Sequence, residues 1–271
     1  MRPPRLDIPA PPFPPSVRWP ASKELVMERL NAKGPVLVCF VELAHLSSVR
    51  ALEYVSAWRE RYAERGFAAV AVQTSRFAFT ADPAWVAEAA AEMAIPVAFD
   101  ADRDAWDDYG CKGWPSMFLW RRGGVLSWFH FGEGAYTETE QAIQHELRAG
   151  DESREMPEPL QVFRQFEHAE ARIVRPTEEF LAGGSIEQPW TADPDGDTLT
   201  MSYEAGEVWA TIEGEGIATV AIDEGVEQDL EIAAPGLYRL SAHPRSERHR
   251  LRLVLEPGQR LWSVDFAPGL A

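Results

Sequence analysis

The sequence is poor in cysteine, in basic residues and in long apolar runs. Only two cysteines, Cys39 and Cys111, occur in 271 residues, too few for a disulfide scaffold or a cysteine-rich zinc site. Lys and Arg number 26 against 43 Asp and Glu, which disfavours nucleic acid as a partner because phosphate binding needs clustered basic side chains. No stretch reaches the roughly 18 apolar residues of a membrane-spanning helix, so no membrane span is expected.

The first residues of the chain are rich in proline and lack the apolar segment of a secretory signal, so a cytoplasmic location is expected. The length allows two domains of ordinary size. Acidic residues outnumber basic ones by 19 to 16 in residues 1–150, but by 24 to 10 in residues 151–271. This uneven charge favours two separate units. The expected division is a proline-rich segment 1–25, a domain 26–150, a linker 151–175 and a second domain 176–271.

Apolar runs alternate with helical patterns in the first domain. The continuous run Val36–Val41 and the similar run 67–73 predict strands buried on both faces. Two later apolar segments joined by Arg121-Arg-Gly-Gly124 indicate a β-hairpin. Strands are expected over 36–41, 67–73, 95–99, 116–120 and 125–131, with helices over 47–65, 82–93, 104–109 and 136–148. The pattern predicts an α/β fold, a mixed sheet flanked by helices.

The second domain has a different periodicity. From Thr198 onward apolar residues alternate with polar ones, and glycines separate seven short segments. Strands are expected over 198–205, 207–213, 217–223, 228–233, 237–242, 249–255 and 261–266. Short strands at this spacing predict an all-β, jelly-roll-like sandwich domain.

Several motifs of the first domain occur together in a characteristic order: Pro35-Val-Leu-Val-Cys-Phe40, Thr74-Ser-Arg-Phe-Ala-Phe79, Val97-Ala-Phe-Asp100, Tyr109-Gly-Cys-Lys-Gly-Trp-Pro115 and Phe131-Gly-Glu-Gly-Ala-Tyr136. With them this domain resembles thioredoxin-like proteins, in particular the redoxin domain of TlpA- and DipZ-type proteins. The second domain resembles the β-sandwich module that follows the redoxin domain in DipZ-type proteins. Its motifs are Arg175-Pro-Thr-Glu-Glu179, Met201-Ser-Tyr-Glu-Ala-Gly-Glu-Val208, Gly236-Leu-Tyr-Arg-Leu240 and Trp262-Ser-Val-Asp-Phe266. That module is similar in fold to carbohydrate-binding jelly rolls.

The resemblance implies a C-x-x-C motif directly after the first strand, and this chain has none there. His45 stands where the attacking cysteine is expected and Ser48 where the resolving cysteine is expected. An imidazole cannot form a mixed disulfide, and a hydroxyl does not replace a thiol in disulfide exchange. Cys39 falls where many thioredoxins have a buried acid, and its apolar strand predicts an inert core residue. Dithiol chemistry is therefore not expected, and no catalytic residue is assigned.

The segment Gly113-Trp114-Pro115 matches the family's cis-proline loop. If Pro115 is cis, the resemblance implies a backbone at Trp114 that is open to pairing with an extended peptide. These three residues are the predicted binding site.

Three alternatives stay open on the sequence alone. Cys111 could be a reactive thiol of a residual oxidoreductase or peroxidase. Asp193, Asp195 and Asp197 have the spacing of oxygen ligands for calcium, although an acidic turn between strands explains them as well. The second domain could bind carbohydrate through exposed tryptophans, for which Trp190, Trp209 and Trp262 are candidates, or these rings could belong to the core.

The sequence thus predicts a thioredoxin-like protein without its redox dithiol, acting in binding or assembly rather than as an enzyme. The expected partner is a protein or peptide at the cis-proline loop. The alternatives are a thiol-dependent oxidoreductase using Cys111 and a carbohydrate- or ligand-binding protein acting through the second domain. No cofactor and no metal are expected.

Overall fold

The computed structural model describes residues 7–91, 93–149, 153–193 and 197–271. They form two compact units. Of these residues, the first unit comprises 7–43 and those between 47 and 162, and the second comprises 44–46 and those between 163 and 271. Each unit has its own hydrophobic core.

The first unit is an α/β structure with a mixed five-stranded sheet, as the sequence predicts. Its strand order is β3-β2-β1-β4-β5; β1, β2 and β3 are parallel, and β4 is antiparallel to both β1 and β5. The elements are α1 (Met27–Lys33), β1 (Val36–Val41), α2 (Leu46–Tyr62), β2 (Ala68–Gln73), α3 (Pro83–Ala90), β3 (Val97–Phe99), α4 (Asp104–Tyr109), β4 (Ser116–Arg121), β5 (Val125–Phe131) and α5 (Tyr136–Arg148).

Local sequence signals account for where several of these elements begin and end. Asp82 caps α3 by accepting a hydrogen bond from the Ala84 amide at 2.9 Å, and Pro83 occupies the first turn, where its missing N–H costs nothing. A short 3₁₀ turn extends α2 to residue 65, and Gly66 ends it with φ of 94°, a conformation that glycine adopts without strain.

Strand β1 lies at the centre of the sheet and is buried along its whole length. Its odd-numbered side chains, including Cys39, pack on one face with Trp58 of α2. Its even-numbered side chains, including Phe40, pack on the other face with Tyr109 of α4. A continuous apolar run is the pattern that such a strand requires, because both faces are covered.

The proline-rich residues that precede α1 pack along the same sheet. Pro9 bridges to Val125 of β5, and Arg18 bridges to Phe99 of β3, so each edge strand has a partner at one point. Phe13 packs edge-on against Trp19 and stacks on Tyr109. Covering the edges in this way protects their free backbone groups from intermolecular pairing.

The second unit is built on a large antiparallel sheet with the order β11-β10-β12-β9-β13-β7; β8 also pairs with β13, and β14 pairs with β6. The strands are β6 (Ile173–Val174), β7 (Phe180–Leu181), β8 (Trp190–Thr191), β9 (Asp197–Glu213), β10 (Gly216–Ile222), β11 (Gln228–Ile232), β12 (Gly236–Leu255), β13 (Arg260–Ala267) and β14 (Gly269–Leu270). The β-rich second domain is therefore confirmed.

In two places the structure has one long strand where the sequence predicts two short ones. Residues 198–205 and 207–213 both belong to β9. Gly206 does not end the strand; it is a position where the backbone of another segment comes close. A Cβ atom there would lie 2.6 Å from the Cα of Gly269. Across Gly206 the buried positions change from odd to even numbers, as at Ala205 and Val208. Such an irregularity changes which side chains of a strand face the core.

Candidate functional site

The two cysteines are both buried and lie in different cores. Cys39 is fully buried among the side chains beneath α2, and Cys111 is 6% exposed in the core on the opposite face of the sheet. Burial raises the pKa of the Cys39 thiol to about 12, and burial likewise raises the pKa of Cys111 well above its ordinary value. Both thiols are therefore protonated at neutral pH, which is unfavourable for nucleophilic chemistry.

Ser48 belongs to a buried hydrogen-bond network around Glu42. The Glu42 amide donates to Ser48 Oγ at 3.1 Å, so the serine oxygen, in the first turn of α2, satisfies a backbone group at the end of β1. The Glu42 carboxylate accepts from the Arg76 amide at 2.6 Å and from Thr80 Oγ1 at 2.8 Å. These bonds join the end of β1 to the loop after β2, a structural role.

His45 belongs to the second unit. The segment 44–46 groups with the second unit, where Ala44 and Leu46 are buried and the His45 side chain is 16% exposed. Thr211 Oγ1 donates to the Ala44 carbonyl at 2.8 Å, and His45 Nε2 lies 3.6 Å from Asp265 Oδ1. His45 and Ser48 are three residues apart, and the structure gives them different partners: Asp265 for His45 and the Glu42 amide for Ser48.

The period of the strands explains why a carboxylate faces His45. On β9 and β13 the even-numbered residues Ile212 and Val264 enter the core of the second unit. The other face carries the polar residues Thr211, Ser263 and Asp265, and all three are buried. Ser263 Oγ lies 2.8 Å from Asp265 Oδ2 and 3.3 Å from Thr211 Oγ1. This buried polar face, together with His45, is a site that sequence reasoning missed.

The cis-proline loop is well ordered by side-chain contacts. The Trp114–Pro115 peptide bond is cis. The Trp114 indole donates to the Thr74 carbonyl at 3.0 Å and its ring lies 4.6 Å from that of Trp106, while the Arg103 guanidinium lies 5.2 Å from the Trp114 ring. Pro115 is buried, and Gly113 and Trp114 are half-buried.

Comparison with known proteins finds relatives of this chain by sequence. The chain is 25% identical over 284 aligned positions to Protein DipZ of Mycobacterium bovis and, equally, to Protein DipZ of Mycobacterium tuberculosis. The alignment covers 91% of this chain and 41% of DipZ, so the chain spans less than half the length of these relatives. The first unit has a thioredoxin-like α/β fold.

Solved structures similar to this chain include a thioredoxin-like protein in its oxidized form, 23% identical with a TM-score of 0.47, covering 54% of this chain and 98% of that one. Another is a thiol-disulfide isomerase from Corynebacterium glutamicum, 17% identical with a TM-score of 0.45, covering 51% of this chain and 96% of that one. No family model matches the sequence. None of the described helices is long and apolar enough to cross a membrane.

The remaining candidates from the sequence are the aspartates and tryptophans of the second unit, and they differ in burial and in hydrogen bonding. Asp195 lies outside the described residues, and Asp197 Oδ1 accepts from the Thr198 amide at 2.8 Å. Trp262 is buried and donates to Glu213 at 3.0 Å, whereas Trp190 and Trp209 are half-buried. The second unit also contains an open polar cleft of about 570 Å³. Its lining residues are Thr177, Ser202, Tyr203, Glu204, Asp223, Arg248, His249 and Arg250.

Proposed function

We propose that this protein binds a protein or peptide partner through its redoxin domain and does not exchange disulfides. The observation that carries the proposal is the state of its thiols. Cys39 and Cys111 are buried in different cores, so they cannot form an intramolecular dithiol pair without rearrangement of the sheet. A protonated, buried thiol is a poor nucleophile for an external disulfide.

The two positions at which the family carries its dithiol have other roles in this chain, which also supports the proposal. Ser48 accepts a backbone hydrogen bond at the end of β1. His45 lies beside Asp265, and its imidazole cannot form the mixed disulfide that a cysteine would form. The same surroundings disfavour the alternative of a thiol-dependent enzyme that uses Cys111.

The cis-proline loop is the candidate contact for a partner. Its half-buried Trp114 is held by Thr74, Trp106 and Arg103, so little conformational entropy would be lost when a partner binds. Half-exposed aromatic rings beside an arginine are common anchors in protein interfaces. An extended peptide that offers backbone groups and an aromatic or aliphatic side chain is the proposed ligand class.

Two measurements test the proposal. An insulin-reduction assay with dithiothreitol should give no rate above the reagent alone, and turnover that is lost in Cys111→Ser would overturn the redox-inactive reading. Selection of a random displayed peptide library on the full chain should yield binders that lose affinity for Trp114→Ala. The matched control is Trp85→Ala, which changes a half-buried tryptophan of α3. Peptides that bind both variants equally would contradict the assignment of the loop.

A second candidate function rests on the open polar cleft of the second unit. Its hydroxyl, carboxylate and guanidinium groups are of the kind that hydrogen-bond carbohydrate or a charged small molecule. The buried position of Trp262 means that this ring would not supply the stacking surface. Binding on a glycan array that disappears in Arg250→Ala would support this function, and a blank array would remove it.

A further inference from the structure

Three side chains of the second unit bring metal-binding atoms close together. His45, Glu179 and Asp265 each offer one ligand atom, and the three atoms lie within 4.8 Å of one another. They come from three places in the chain: the segment 44–46, the residue before β7, and β13. Imidazole nitrogen and carboxylate oxygen are ligands that zinc and other first-row divalent ions accept.

The strand register explains how the two carboxylates meet. Strands β7 and β13 are antiparallel, with Phe180 opposite Val264 and Leu181 opposite Ser263. Continuing this register by one residue puts Glu179 opposite Asp265 on the same face. Like charges directly opposite each other are destabilising. The Asp265 side chain is only 6% exposed, so water screens this repulsion less than at the surface. A cation between the carboxylates would remove it.

The distance between His45 and Asp265 suits shared ligation better than a direct bond. The 3.6 Å from Nε2 to Oδ1 exceeds the hydrogen-bond range. Two ligands bound at about 2.0–2.1 Å to a tetrahedral zinc are about 3.4 Å apart. The other Asp265 oxygen is held by Ser263 at 2.8 Å, the kind of supporting bond that orients a ligating carboxylate.

We propose that His45, Glu179 and Asp265 bind one divalent first-row transition-metal ion, with zinc as the ion to test first. Three protein ligands leave a coordination position for water or for a group from a partner. The ion would fix the segment 44–46 to strands β7 and β13. The inference does not depend on the proposed binding function of the cis-proline loop, because none of the three ligands belongs to that loop.

The test uses the full chain after removal of metal with a chelator. Equilibrium dialysis against Zn²⁺ should give one ion per chain, and X-ray absorption at the zinc edge should show one imidazole nitrogen with oxygen neighbours and no sulfur. Glu179→Gln should weaken zinc binding at least tenfold. Glu178→Gln is the matched control, since Glu178 is the adjacent carboxylate and is exposed; its affinity should equal that of the wild type.

Several outcomes would overturn the proposal. One is that the protein binds no zinc at a micromolar concentration of the free ion. Another is that the Glu178→Gln and Glu179→Gln variants bind zinc with equal affinity. A third is that X-ray absorption shows sulfur bound to the zinc. The stacked imidazoles of His243 and His249 are another place where zinc could bind, so loss of binding in His249→Gln, with Glu179→Gln unaffected, would also overturn it. Because Glu179 is more open to solvent than Asp265, its variant keeps the test valid if Asp265→Asn does not fold.

Discussion

Thiol reactivity under native conditions is the property that most directly tests the absence of redox chemistry. A free cysteine with a pKa of about 8.5 is roughly one-quarter thiolate at pH 8. Cys39, with its pKa raised to about 12 by burial, is about 10⁻⁴ thiolate at the same pH. The thiolate fraction therefore falls by a factor of about 2,000, before any cost of opening the core is counted.

The assay is titration with Ellman's reagent at pH 8, first in buffer and then in guanidinium chloride. We expect two thiols to react promptly in denaturant and neither to react on that timescale in the native protein. The variants Cys39→Ser and Cys111→Ser, which each leave one thiol, assign any slow phase. A native thiol that reacts at the rate of a free cysteine would refute the reasoning, because both the burial and the pKa argument would then fail for that residue.

Three further predictions concern stability and pH. Burial keeps Cys39 protonated in the folded state, so its contribution to the free energy of unfolding is complete below about pH 8.5 and is lost as the pH rises toward 12, by up to about 1.4 kcal/mol per pH unit. Chemical denaturation of the wild type and of Cys39→Ala across this pH range should show the difference. Gly206→Ala should destabilise the second unit by about 1–3 kcal/mol because its Cβ would meet backbone at 2.6 Å; a thermal midpoint equal to that of the wild type contradicts this. Glu42→Gln should cost about 1–3 kcal/mol, because the new NH₂ would face a donor in either orientation: the Gln73 NH₂, which now donates to Oε1 at 3.3 Å, or the Arg76 amide, which now donates to Oε2 at 2.6 Å. A denaturation midpoint equal to that of the wild type would contradict this.

Much of the first unit could be predicted from the sequence. The run Val36–Val41 is apolar because β1 has a core on each face, and the dipeptide Asp82-Pro83 marks the start of α3 by capping and by a pre-set φ. These signals are local, so one sequence suffices to find them. The helix α1 was not predicted, because its seven residues are too few to establish a period.

The long strands β9 and β12 were divided in the prediction for a physical reason. A glycine inside an alternating segment indicates either a turn or a close approach of another backbone. At Gly206 the second explanation holds, because Gly269 lies against it. That contact joins residues 63 positions apart in the sequence, and the alternation of apolar residues near Gly206 carries no information about it.

The polar face that contacts the segment 44–46 could not be predicted for the same reason. The alternation in β13 correctly predicts that Val264 and Phe266 lie in the core. It also predicts that Ser263 and Asp265 are exposed to solvent, and this prediction is wrong. Both are buried. A strand that is buried on both faces and polar on one of them requires polar partners on that face. Here His45 lies beside Asp265, and Thr211 Oγ1 on the same face donates to the Ala44 carbonyl.

Introducing two thiols at positions 45 and 48 would show whether thiols at these positions are sufficient for disulfide exchange. In the double variant His45→Cys, Ser48→Cys the introduced thiol at position 45 would lie beside the buried Asp265 carboxylate. A nearby negative charge raises a thiol pKa, whereas an attacking cysteine needs a lowered one. We expect the double variant to leave insulin reduction at background, and Asp265→Asn in that background to increase the rate. Turnover with Asp265 intact would show that its carboxylate does not suppress the chemistry, and that two thiols at these positions are sufficient for it.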